Sequence, residues 1–295
     1  MREFSGKTAV ISGGAEGIGF GIARVLGQQG MNIVLGDIDA QQLQQAEQTL
    51  VADGVDVLAV TMDVTDIGQW QSLAQQTLQR FGKIHMLVNN AGVSGTPGGL
   101  DVSNTKVWQW VMDVNLMGVV YGTQTMVPLI KQHGEGGWLV NVASMAGMGG
   151  VPLGGPYTAS KVAVVGMSES WSAELQPHDI QVSVLCPGFV KTRIHLSHRN
   201  KHAHYESDDI SSQHSAGDTA IADHMQEVID AGLDPEVVGN RVVEALLAQE
   251  LYIFTHPNYR SWVQKRFADI DAAFERAESS PLLADILNQK VASFS

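Results

Sequence analysis

A single cysteine, Cys186, stands in a chain of 295 residues, so neither an internal disulfide nor a thiolate cage for a metal can form. Cations are scarce: 18 lysines and arginines against 31 aspartates and glutamates leave a formal charge of −13 at pH 7. A surface with that balance repels nucleic-acid phosphates and anionic lipid, so neither nucleic acid nor a membrane is expected as a partner. No apolar run approaches the roughly 18 residues of a spanning helix, and Met1-Arg2-Glu3-Phe4 opens no secretory apolar stretch. The expected location is the cytoplasm. What is present is an apolar content of 44%, enough to fill a core, and 31 glycines without periodicity. Such glycines signal tight turns and close backbone approaches rather than a fibre.

At about 150 residues per domain the length allows two domains, yet no Pro/Ser/Gly linker divides the chain and no repeat appears. Short apolar runs alternate with longer amphipathic ones. Strands are expected at Thr8–Ile11, Asn32–Gly36, Val55–Thr61, His85–Val88, Trp138–Val142, Gln181–Leu185 and Leu251–Phe254. Helices are expected from about Ile18 to Leu26, Gln41 to Ala52, Ile67 to Phe81, Thr105 to Gln132 and Tyr157 to Gln176. Continuous apolar strands separated by helices predict an α/β fold, a doubly wound parallel sheet covered on both faces. One domain spanning 1–295 is therefore expected. It carries a polar, histidine-rich lid over about 191–233 (His195, His198, His202, His204, His214, His224) and a C-terminal extension over about 256–295.

Ser12-Gly13-Gly14-Ala15-Glu16-Gly17-Ile18-Gly19 follows the first strand and opens the first helix. Such glycines let a backbone turn sharply against a pyrophosphate at the positive end of a helix; the plainer reading is an ordinary strand–helix turn. Asp37 ends the second strand 18 residues after Gly19, where a carboxylate would accept from both ribose hydroxyls; the plainer reading is a helix N-cap. With Asp37 and Glu16 both negative, and no lysine or arginine in the loop or directly after Asp37, NAD is favoured over NADP. Asp63-Val64 suits an adenine contact. Asn89-Asn90-Ala91-Gly92 suits close backbone packing against the cofactor. All lie at the carboxyl ends of successive strands, where open α/β sheets bind ligands.

Tyr157-Thr158-Ala159-Ser160-Lys161 sets a phenol and an ammonium four residues apart on one helix face. A phenol titrates near ~10, so it becomes a base only where positive charge favours the phenolate; Lys161 and an oxidised nicotinamide both supply it. Ser144, at the end of the fifth strand, can hold a substrate oxygen. Asn115, a poor helix interior residue, can hold a water that links Lys161 to solvent. By itself the Tyr-x-x-x-Lys pair also fits a plain surface helix face.

Taken together, these motifs resemble the short-chain dehydrogenase/reductase family over about Lys7 to Phe254. The resemblance implies a Rossmann-type sheet of about seven parallel strands and an Asn115, Ser144, Tyr157, Lys161 tetrad. Gly13, Gly17 and Gly19 match the family's glycine pattern, with Ser12 in place of the usual threonine. Pro187-Gly188-Phe189-Val190-Lys191-Thr192 matches its Pro-Gly-x-x-x-Thr stretch. This implies that Val190 meets the nicotinamide carboxamide and Thr192 the carboxamide or pyrophosphate. The cofactor set is then Ser12, Gly13, Gly17, Ile18, Gly19, Asp37, Asp63, Val64, Asn90, Ala91, Gly92, Tyr157, Lys161, Pro187, Gly188, Val190 and Thr192. The resemblance also implies a homodimer or homotetramer built on the helices of Asn115 and Tyr157.

The implied reaction interconverts a secondary alcohol and a ketone with NAD(H). Ser144 and Tyr157 would hydrogen-bond the alcohol, and Tyr157 would take its proton as hydride leaves for nicotinamide. Ser94, Met145, Val151, Leu153, Phe189 and Ile194 would wall the substrate, and their apolar character favours a bulky hydrophobic or aromatic alcohol or ketone; such side chains also suit a plain core. The opening Gly14–Ala23, Asn115-Leu116-Met117-Gly118 and the end Leu251–Pro257 with Tyr259, Trp262, Phe267 and Phe274 more weakly resemble bacterial Cα-dehydrogenases of lignin-type aryl ethers. The alternatives are an NADP-linked ketoacyl or steroid ketone reductase and a non-catalytic nucleotide-binding protein. No metal is expected, since the lid histidines lack His-x-x-x-His spacing.

Overall fold

The computed structural model describes residues 3–206 and 226–290. It divides into two compact units, one ending at Thr255 and one beginning at His256. In the first unit seven strands form one parallel sheet in the order β3-β2-β1-β4-β5-β6-β7. The strands are β1 (Thr8–Ser12), β2 (Asn32–Asp37), β3 (Val57–Thr61), β4 (Met86–Asn89), β5 (Gly137–Val142), β6 (Ile180–Cys186) and β7 (Tyr252–Phe254). Between them run α1 (Gly17–Gln28), α2 (Ala40–Ala52), α3 (Ile67–Phe81), α4 (Thr105–Met112), α5 (Gly118–His133), α6 (Gly155–Leu175) and α7 (Pro235–Leu247).

Every residue of β1 and β5 is buried, because helices cover both faces and leave no side for polar alternation. One face packs Ile11, Ile33 and Leu35 against Ile22 and Leu26 of α1, Leu43 and Leu50 of α2, and Val242 and Leu246 of α7. The other packs Val10, Val34 and Leu139 against Trp70 and Leu73 of α3 and Met126 and Ile130 of α5. Chain order reverses between β1 and β4, so the loops after these two strands turn to opposite faces and leave a crevice at their carboxyl ends.

Two departures from the expected elements matter. The helix expected over 105–132 is interrupted by a π-helical segment at Asp113–Met117, which separates α4 from α5. The helix α7 was not anticipated, although its signals are in the sequence. Asp234 caps it by accepting from Glu236 N–H, Pro235 fills its first turn, and Val238, Val242 and Leu246 share its buried face.

The segment expected to form a lid is flanked by paired backbone. Val190 bridges Leu233, Lys191 N–H donates to the Leu233 carbonyl, and Leu233 N–H donates to the Phe189 carbonyl. Short 3-10 turns at Ile194–Asn200 and Ala203–Tyr205 follow its first foot. His214 and His224 lie outside the described residues. Among the described residues no helix is long and apolar enough to cross a membrane.

The second unit holds α8 (Arg260–Glu278) and a short turn at Pro281–Leu283.

Trp70 ties this core to the crevice: its fully buried ring fills the α3–α5 face, and its Nε1 donates to the Val64 carbonyl at 3.0 Å. Trp70→Ala is expected to cost about 3–5 kcal/mol in urea unfolding. A loss under about 1 kcal/mol, the range of a surface change, would contradict this packing.

Candidate active site

The glycine loop is braced from the neighbouring strand end. Ser12 Oγ accepts from the N–H groups of Asn90 (3.0 Å) and Ala91 (3.2 Å), while Asn90 Nδ2 donates to the carbonyls of Ser12 and Gly13. Serine does here what threonine would, since only the hydroxyl is used. Gly19 has no room for a side chain, because a Cβ would stand 2.2 Å from the Gly13 carbonyl oxygen. Gly17 is required twice over: its φ is +56°, and a Cβ would lie 2.9 Å from the Thr192 methyl. That second contact brings Thr192 from the far end of the sequence onto the loop. No side chain caps α1, whose N-cap position is Glu16, so its first N–H groups remain for an anionic ligand.

Asp37 does not cap α2; Asp39 does, accepting from Gln42 N–H at 3.1 Å. Asp37 instead accepts from the N–H groups of Ala15 and Asp39, each at 3.0 Å. It therefore stands beside the glycine loop. Burial pushes its carboxyl above the ordinary value, and those two N–H groups oppose the rise. Asp63 accepts from Thr65 N–H at 2.8 Å and faces His202 Nε2 at 2.8 Å. Val64 is buried behind it.

The tyrosine and lysine of α6 meet the ends of β4 and β5. Lys161 is 3% exposed, donates to the Val142 carbonyl at 2.9 Å, and sits 5.6 Å from the centre of the Tyr157 ring. Burial lowers its ammonium to about 8. The Tyr157 phenol is raised by burial, against a lowering hydrogen bond from Ser144. Ser144 is held by its own short turn, in which its Oγ accepts from Ala146 N–H. Gly92 closes the group: a Cβ there would stand 3.4 Å from Asn115 Oδ1 and 3.5 Å from Lys161 Nζ. Ser144, Tyr157, Lys161, Asn115 and Gly92 are thus brought together, on the crevice side of the sheet.

Asn115 is fully buried in the π-helical segment. Its Oδ1 accepts from Val93 N–H, and its Nδ2 donates to the Val93 carbonyl and to Ser160 Oγ. Three partners leave its amide one acceptor lone pair for water. Ser160 was not singled out from sequence, though it adjoins Lys161; its hydroxyl also donates to the Tyr157 carbonyl at 2.8 Å. This serine locks α6 to the π-helical segment, a kind of helix irregularity common at functional sites.

The lid crosses to the glycine loop through contacts that sequence alone did not anticipate. Glu16 binds both Arg193 and Arg199, and Arg199 also donates to the carbonyls of Arg193 and Leu196. Ser94 Oγ donates to the Ile194 carbonyl at 3.1 Å, and Tyr205 donates to Asp113 at 2.8 Å. Cations therefore do face the loop, from 177 and 183 residues away. Glu16 is consequently a paired charge, and the electrostatic case against a 2′-phosphate rests on Asp37. Of the expected substrate wall, Met145 is buried in the turn after Ser144, and Ile194 is partly buried beside Ser94. Val151, Leu153 and Phe189 are exposed at 46%, 54% and 40%. Pro187 and Val190 are buried and Gly188 partly so, at the end of β6.

Among the described residues, one three-residue group with metal-ligand spacing, His85, His133 and Glu135, lies at the amino-terminal edge of the sheet. Its donors already have protein partners. His85 Nδ1 accepts from Thr8 N–H, which leaves the proton on Nε2 facing Glu135. His133 contacts the Ile84 carbonyl and Glu135 N–H, and Lys83 pairs with Glu135. We read it as an ion-pair network.

The family model for short chain dehydrogenases matches residues 7–203. The chain is 34% identical over 268 residues to the "CLA biosynthesis dehydrogenase/reductase" of Lactiplantibacillus plantarum, covering 90% of this chain and 93% of that protein. It is 30% identical over 281 residues to the "C alpha-dehydrogenase" of Sphingobium sp. (strain NBRC 103272 / SYK-6), covering 95% and 90% respectively. Among solved structures, a short chain dehydrogenase/reductase from Burkholderia phymatum in complex with NAD superposes with a TM-score of 0.88 at 36% identity. That match covers 92% of this chain and 97% of the other.

The buried lysine generates a pH signature. Its folded value of about 8 lies below the ordinary 10.5, so between these two the unfolded chain holds a proton that the folded one has released. Stability relative to Lys161→Met should be flat below pH 8 and rise from 8 to 10.5. Melting temperatures of both proteins across that range check it; parallel curves would contradict the burial of a titrating amine.

Proposed function

Because the chain belongs to the short-chain dehydrogenase family, we propose that it is an NAD(H)-dependent oxidoreductase interconverting a secondary alcohol and a ketone. The observation that carries this reading is the convergence of Ser144, Tyr157 and Lys161 beside an uncapped, glycine-lined helix end in one crevice. The residues present suit a dinucleotide. Gly13, Gly17, Ile18 and Gly19 would hold its pyrophosphate, Asp37 its adenosine ribose, Asp63 and Val64 its adenine. Asn90, Ala91 and Gly92, with Pro187, Gly188, Val190 and Thr192, would line the nicotinamide half. When bound, the nicotinamide ring supplies the hydride acceptor or donor and, oxidised, a positive charge.

The protein's own part is to place and move a proton. Ser144 and the Tyr157 hydroxyl hold the substrate oxygen, and Tyr157 takes the alcohol's proton or returns it to the ketone. Burial alone makes Tyr157 a poor acid. The nearby Lys161 ammonium, together with the cofactor's charge, shifts the balance toward phenolate. Asn115 positions this apparatus through Ser160, and its free lone pair suits a water linking Lys161 to solvent.

The substrate is proposed to be bulky, apolar and uncharged. Val151, Leu153, Phe189 and Leu196 form exposed apolar groups on loops at the carboxyl ends of β5 and β6. Arg193 and Arg199, the cations of that region suited to clamp a carboxylate, are committed to Glu16. We also propose a cytoplasmic homodimer or homotetramer.

Tyr157→Phe is expected to lower NAD-dependent turnover of an aryl secondary alcohol about 10²–10⁴-fold, with NADH binding unchanged by fluorescence titration. Near-parent turnover would refute the assignment. For cofactor choice, Glu16→Gln releases two guanidinium groups beside Asp37. It is expected to improve NADPH binding relative to NADH by about tenfold, ~1.4 kcal/mol, as dissociation constants would show. An unchanged ratio would mean that these arginines do not reach a 2′-phosphate.

A further inference from the structure

The helix α8 has no buried residue along its whole length. Phe267, Ile270 and Phe274 are exposed at 52%, 40% and 66%. These belong to a regular series, Val263, Phe267, Ile270, Phe274 and Ala277, whose steps of four, three, four and three residues give a repeat of 3.5. An exposed helix face with that repeat has the pattern of a coiled-coil strand, with Trp262, exposed at 38%, outside the seam. Its own propensity is a weak hold at this length.

We propose that α8 is an assembly element that pairs, parallel and in register, with α8 of a second copy of this chain. Charge argues for the occupant. The whole chain carries −13, but α8 holds four cations (Arg260, Lys265, Arg266, Arg276) and four anions (Asp269, Asp271, Glu275, Glu278). Two copies therefore approach along this helix without the repulsion present elsewhere.

Charge also argues for the orientation. Arg266 and Asp271 lie on opposite flanks of the seam, five residues apart, which is the spacing at which flanking side chains meet across a parallel pair. Each Arg266 then faces the Asp271 of the other copy. In an antiparallel pair like flanks would face each other, so Arg266 would meet Ala273 rather than a carboxylate, while Gln264, Asp271 and Glu278 would face one another. Lys265 and Asp269 pair within the helix on its outer face at 3.9 Å, outside the seam. The Arg266 guanidinium lies over the Phe267 ring, 5.7 Å from its centroid. A seam of five positions is short, so this contact is expected to tighten an assembly rather than to hold one alone. The inference uses the C-terminal unit only and stands or falls apart from the proposed chemistry.

The test uses the full chain, whose one native cysteine, Cys186, is buried. In a parallel, in-register pair residue 270 meets itself across the seam. Ile270→Cys should therefore oxidise to a covalent dimer on a non-reducing gel, while Lys265→Cys on the outer face should do so several-fold less. Arg266→Asp should reduce the cross-link in the Ile270→Cys background, and adding Asp271→Arg should restore it. Circular dichroism checks that each variant is folded. Equal cross-linking at 265 and 270 would overturn the proposal. So would a charge swap that fails to rescue, or an Ile270→Cys variant that stays monomeric on the gel while light scattering shows the parent's mass.

Discussion

Burying the Lys161 ammonium is the constraint around which the crevice is organised. An amine 3% exposed, with the Val142 carbonyl as its hydrogen-bond acceptor, has lost most of its hydration, and its lowered value of about 8 expresses that cost. The sheet makes the burial bearable because β5 ends at Val142, two residues before Ser144, and the Val142 carbonyl accepts from Lys161 of α6. The same helix turn carries Tyr157, whose phenol burial pushes the opposite way. One desolvated pocket thus disfavours both charged forms, phenolate and ammonium. A ligand that brought positive charge beside the phenol and acceptor oxygens to the ammonium would relieve part of that burden, which gives the crevice a physical reason to bind one.

The second organising feature is that the glycine loop is held from two directions. Ser12 and Asn90 fix it from the sheet, within the core and independent of solvent. Glu16 fixes it from the lid, through arginines that are partly exposed and so individually weak. The loop thus combines bracing from the buried sheet with bracing from partly exposed ion pairs.

Most of the sheet was legible because each strand is a continuous apolar run, and α3, expected over Ile67 to Phe81, is found there between the capping Asp66 and Gly82. The motif residues were legible because their chemistry depends on short spacings: Tyr157 to Lys161, or Gly13 to Gly19. The partnerships of Glu16 with Arg193 and Arg199, and of Asp63 with His202, were not legible. Nothing local distinguishes a lid arginine that returns to the first loop from one that points to water. The capping role passed from Asp37 to Asp39 for a related reason: two aspartates at the same strand end compete, and tertiary placement of Ala15 N–H beside Asp37 decides. The π-helical insertion at Asp113–Met117 lacked a sequence sign beyond a buried asparagine in an apolar helix.

Commitment of Arg193 and Arg199 to Glu16 also bears on selectivity. If the proposed reaction is right, the exposed Val151, Leu153, Phe189 and Leu196 would recognise substrate by apolar contact. Such contact discriminates by only about 1–3 kcal/mol for each methylene gained or lost. Sharp selection among analogues comes instead from buried polar groups left unpaired by the wrong ligand. Ser144 and Tyr157, the polar groups proposed to hold the reacting oxygen, would recognise the hydroxyl or carbonyl that every candidate substrate shares. The Ser94 hydroxyl, the next polar group outward, is already spent on the Ile194 carbonyl. Selectivity built this way would be strict about the reacting oxygen and permissive about the apolar body behind it. A spectrum of related alcohols and ketones then follows from the geometry more naturally than a single one.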